Sequence, residues 1–163
     1  MRFRRHQQGP VEPNGDGTFS INLSDGDRDT MVDLLDQLGT VVQGGDDDPR
    51  TKRLFPVAYH DDADKESEWQ GYMHDELVQS RMAAIEKSIG ILRAKGPVSE
   101  QDLMAFMTSL NSLRLVLGTL LDVRENDDGE DLDEDDPAHG PGQLYGYLGW
   151  LLGWTVEALE TTL

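Results

Sequence analysis

Imidazoles beside carboxylates are where metal or acid–base chemistry would start in this chain. Four histidines are available: His6, His60, His74 and His139. His60-Asp61-Asp62 and His74-Asp75-Glu76 each offer a donor set that suits a divalent metal and its bound water. Their spacing works against that use. Adjacent residues on a helix point in different directions, whereas metal sites draw on i, i+3 or i+4 pairs. Neither an HExxH nor an ExxH pattern occurs in the chain. Nucleophilic catalysis would need a Ser or Cys, a base and an orienting carboxylate that converge. There is no cysteine, no GxSxG elbow, no phosphate loop and no dinucleotide fingerprint. The expectation is a chain that is not an enzyme and that holds neither metal nor cofactor.

Two further groups merit weighing. Glu12, Asn14, Asp16, Gly17 and Phe19 fall at EF-hand loop positions, but Leu23 stands where the bidentate Glu belongs. Turn chemistry explains Asn14-Gly15 and Asp16-Gly17 without calcium. Arg114 is the other. It interrupts Leu113–Leu121, the most apolar part of a predicted helix over Glu100–Val123, with Asn111 one turn before it and Gly118 one turn after. A buried guanidinium must be paired and hydrogen-bonded. The preferred reading is a structural ion pair across a bundle, with Glu76 or Glu157 as the carboxylate. The functional alternative is an anion-recognising pocket of Arg114, Asn111 and Glu76, suited for example to a peptide carboxylate.

These residues need elements to hold them. Arg2–Gln7 reads as a short strand, followed by a loop over Gly9–Gly17. Thr18–Leu23 alternates, with Phe19, Ile21 and Leu23 on one face, so residues 1–23 are expected to form a β-hairpin. Ser24 is a good N-cap for a helix over Asp25–Gln43, whose apolar residues run Met31, Leu34, Leu35, Leu38, Val41, Val42 before Gly44-Gly45 stops it. A short turn starts at Asp48-Pro49 and ends at Phe55-Pro56. A long helix follows the acidic cluster Asp61, Asp62, Asp64 and ends at Lys95-Gly96-Pro97, with Gly96 as C-cap. Ser99 caps the Arg114 helix, closing a helical core over residues 25–122. Residues 124–137 read as a flexible acidic loop, because Asn126–Asp136 has almost no apolar residue but Leu132. The last helix is expected over Gln143–Thr161 within a core region of 143–161. Gly146, Gly149 and Gly153 each cost about 1 kcal/mol against Ala in a helix interior. Close approach of another helix near Gly118 would compensate. The fold class is therefore a mainly α single domain, 1–163, of four main helices with a small N-terminal β-hairpin.

Composition bounds the partners. The net charge is −18, and Asp122–Asp136 alone carries −9 of it. An acidic surface repels phosphate backbones, so nucleic acid is an unlikely partner. Arg2, Arg4 and Arg5 form the one basic cluster and leave a DNA-associated transcriptional regulator as the alternative function, with a metal-dependent hydrolase using His60 or His74 third. MRFRRHQQG lacks the apolar core of a signal peptide, and the apolar run Leu144–Leu159 is too short to span a membrane. A cytoplasmic protein is expected.

The segments Leu110–Val123 (LNSLRLVLGTLLDV), Leu54–Asp62 (LFPVAYHDD) and Tyr145–Trp154 (YGYLGWLLGW) resemble an actinobacterial domain-of-unknown-function family often encoded beside a ClpS-type protease adaptor. The resemblance covers most of the chain from about Phe19. It implies no catalytic residues. It points to a regulatory or protein-interaction factor with an unidentified protein partner connected to protease-adaptor machinery. The glycine faces and tryptophans of the last helix separately permit a homodimer through that helix.

Overall fold

The computed structural model describes residues 8–44, 49–51, 54–55, 61–125 and 139–161. Three strands and four helices follow one another: β1 Val11–Pro13, β2 Thr18–Ile21, α1 Asp25–Gln43, α2 Ala63–Ala94, β3 Val98–Ser99, α3 Glu100–Glu125 and α4 His139–Glu160. The mainly α architecture expected from the periodicity is what forms. The strand expected at Arg2–Gln7, the Arg2–Arg5 arm, the acidic loop Asn126–Asp136, His6 and His60 lie outside the described residues.

The helix starts follow from side chains that satisfy orphan N–H groups. Ser24 Oγ accepts from Asp27 N at 3.1 Å, Asp62 Oδ1 from Lys65 N at 3.0 Å, and Ser99 Oγ from Asp102 N at 3.1 Å. The first helix ends as expected, Gly44 N–H donating to the carbonyls of Thr40 and Val41. The end of α2 differs from expectation. Lys95, not Gly96, takes the left-handed conformation at φ 57°. Its ammonium reaches Asp25 at the start of α1 over 2.7 Å, which offsets part of the cost of that backbone.

The hairpin is tighter than expected. Its first described strand is Val11–Pro13, inside the stretch read as loop, because Val11 supplies a buried side chain opposite Ile21. The turn is held by Asn14 N donating to Thr18 O, and by Asp16 Oδ1 accepting from both Thr18 N and Thr18 Oγ1. Those bonds hold the Asp16 carboxyl below its ordinary value. A third strand joins it, Phe19 facing Val98 across β2–β3. Val11, Phe19, Ile21 and Val98 then bury against the helices.

Helix α3 is the axis. It packs against α1, α2, α4 and the sheet, and Leu103, Phe106 and Leu110 are fully buried along it. Each contributes roughly 1.5–3 kcal/mol of burial. Ser88 Oγ donates to Ala84 O at 2.7 Å and lies 3.0 Å from Ser109 Oγ, a polar seam between α2 and α3.

Candidate functional site

Arg114 was expected to be buried and paired, and neither holds. It is half-buried, and among the described residues no carboxylate pairs with it. Asn111, one turn before it on α3, and Glu76 of α2 are both exposed. Flanking leucines do not bury an arginine, because residues adjacent in a helix point to different sides. The guanidinium lies over the Tyr145 ring, 5.0 Å from its centroid, a cation–π stack between α3 and α4. A methyl group at Gly149 would sit in ordinary contact with Arg114 Nε, 3.5 Å away. That Nε is buried without an acceptor.

Among the described residues the buried arginine is Arg28. Its Nε donates to Leu23 O at 3.1 Å, Nη1 to Leu92 O at 2.9 Å and Nη2 to Ile21 O. One guanidinium thus ties the end of β2, the approach to α1 and the end of α2. A sequence signal existed: Arg28 falls in line with Leu35 and Val42 on the buried stripe of α1. Arg81 was also missed. It donates to Ser112 Oγ at 2.9 Å and to Leu54 O at 3.2 Å, and burial lowers its pKa from the ordinary arginine value. It shares a stripe of α2 with Ile85, Ser88 and Leu92.

His74 packs at a tilt against Phe55 with ring centroids 5.0 Å apart, and its Nδ1 is buried without a partner. Among the described residues no three His, Asp or Glu side chains are placed to hold a metal ion. Glu12, Asn14 and Asp16 spend their side chains locally: Glu12 Oε1 accepts from Gly9 N, and Asn14 bonds Thr18 and Ser20.

The outer face of α4 is the largest departure. Gly146 and Gly153 were expected against another helix, yet both are exposed and nothing lies within 4 Å of a methyl group placed there. The close glycine contacts occur elsewhere, at Gly9 under the Trp154 ring and at Gly39 beside Met82. Between the two open glycines stands Trp150, 50% exposed, its ring 5.7 Å from that of Tyr147. Val156 extends the same exposed region. On the other side of α3, Leu34, Leu38 and Val41 of α1 and Leu113, Val116 and Leu117 of α3 line an apolar groove of about 330 Å³. No described helix is long and apolar enough to cross a membrane.

No curated protein and no solved structure matches the chain significantly. A domain of unknown function, DUF2017, matches residues 3–159, and the chain belongs to that family.

Proposed function

We propose that this protein is a non-enzymatic regulatory or protein-interaction factor that engages a partner protein through the outer face of α4. The observation that carries the reading is Trp150. A large indole, half in solvent and flanked along the helix by Gly146 and Gly153, combines an anchor with two positions where a partner backbone can approach closely. Tryptophan is the residue type most enriched among interface anchors, and here Tyr147 holds it in place. The resemblance to chains encoded beside a ClpS-type adaptor directs the search for the partner to Clp-type proteolysis in the cytoplasm.

A photo-crosslinking residue placed at Trp150 tests this, with a second at Ala83, an exposed position on α2, as control. Affinity purification with Trp150→Ala runs alongside, and light scattering of the chain alone separates a second copy from another protein. The expected result is one defined crosslinked protein at position 150, absent from the control and weakened by Trp150→Ala. No crosslink and no partner, together with a metabolite that stabilises the chain, would overturn it.

A further inference from the structure

A cavity of about 290 Å³ lies between β1 and the last turns of α4. Val11, Pro13 and Ala158 give it apolar walls, Trp154 an indole, and Glu12 and Glu157 the charges that line it. That volume stands at the lower end of small-molecule sites, so it suits a single side chain better than a cofactor. The wall is fixed by a close approach. A methyl group at Gly9 would fall 2.5 Å from Trp154 Cζ3, so only glycine lets the chain entering β1 lie on the indole. Glu12 is tied to that same glycine, its Oε1 accepting from Gly9 N at 2.6 Å.

No cation on the surrounding elements answers these charges. Residues 8–27 and 139–161, which supply every described lining residue, contain no Lys or Arg. Among the described residues neither Glu12 nor Glu157 has an ion-pair partner. Two carboxylates repel anionic ligands and attract a cation, which an aromatic wall attracts as well. The cavity also adjoins the face of α4 already assigned to a partner. Glu157 follows Gly153 by four residues and Trp150 by seven, which sets the three on one side of the helix over about 10 Å. All three are exposed.

We propose that this cavity receives a Lys or Arg side chain of the protein that seats on α4, with Glu12 and Glu157 supplying the counter-charge and Trp154 the packing surface. The inference rests on the α4 reading and adds a requirement to it. The partner carries a basic residue about 10 Å from the group that covers Trp150. An anchor at one end and a charge pair at the other also fix the partner's direction along the helix.

The probes are Nα-acetyl-arginine amide and Nα-acetyl-lysine amide, with the uncharged citrulline derivative as control, titrated into the full chain at constant ionic strength. The readout is the indole N–H resonance of Trp154, told from those of Trp69 and Trp150 by single Trp→Phe variants. The expected result is a saturable shift of Trp154 alone with a cationic probe and none with citrulline. Glu12→Gln combined with Glu157→Gln should weaken the cationic probe at least about tenfold. The substituted amide oxygen can still accept from Gly9 N, so the melting temperature should hold. Trp150→Ala should leave probe binding unchanged. No saturable shift with either cation, an equal shift with citrulline, or unchanged affinity in the double variant would overturn the proposal. Loss with Trp150→Ala would place the probe on the outer face and overturn it too. So would a shift that appears only after Arg2, Arg4 and Arg5 are changed to Gln, which would assign the cavity to the chain's own N-terminus. Crosslinking at Trp150 is read independently of these titrations, so the cavity and the α4 face fail separately.

Discussion

Two arginines that resemble each other in sequence have opposite standing in the structure. Arg28 answers three backbone carbonyls that are otherwise remote from one another, whereas Arg114 lies on an aromatic face. Arg28→Met should strand those carbonyls and cost about 3 kcal/mol, which in a domain of this size lowers the melting temperature by roughly 6–12 °C. Arg114→Ala loses a partly exposed stack worth about 1 kcal/mol or less. Thermal melts of the two variants check the ranking, and equal losses would refute it. Tyr147 offers a reverse case. Its hydroxyl is buried with no hydrogen-bond partner, and burial, with a smaller push from Asp27, raises its pKa above the ordinary 10.0. Tyr147→Phe should therefore be neutral or stabilising by up to about 1 kcal/mol at pH 7. Because the unfolded chain ionises this phenol first, its contribution is full below the ordinary tyrosine pKa and is lost as pH rises through it towards the folded value. Chemical denaturation across that alkaline range should show a flatter decline for Tyr147→Phe than for the wild type.

At the scale of elements, sequence reading succeeded where the determinant was local. Ser24 and Ser99 cap because a hydroxyl three residues before an N–H can reach it, and α1 runs over the span its apolar spacing marks. It failed where the determinant was remote. Val98–Ser99 becomes a strand only because Phe19, distant in the chain, offers an edge. The acceptors of Arg28 are backbone carbonyls, which no side-chain pattern encodes. The glycines of α4 show the same limit: composition marks a helix with little side chain on some positions, but not whether those positions meet protein or solvent. Their exposure has a measurable cost. Gly146→Ala and Gly153→Ala should each stabilise by about 0.5–1 kcal/mol, raising the melting temperature by roughly 2–4 °C. A fall would mean that those positions are already in close contact, as in a dimer through α4.

For the whole molecule, α3 divides two kinds of surface. It lends Leu113, Val116 and Leu117 to the apolar groove beside α1 and Arg114 to the seam beneath the aromatic face of α4. The helices were legible as a bundle because each has a continuous apolar stripe. The surfaces were not, since each combines residues from elements far apart in sequence. The Arg28 clasp reaches across the same scale. One guanidinium joins β2, the start of α1 and the end of α2, so none of the three can open alone without breaking a hydrogen bond to it. The backbone amides of Phe19–Ile21, Arg28–Leu35 and Ile85–Leu92 should then exchange with deuterium as one cooperative unit, at a single opening free energy. The outer half of α2, where Tyr72 stands 76% exposed, should exchange far faster. In Arg28→Met that shared rate should split into three, turning one unit of unfolding into separate local openings.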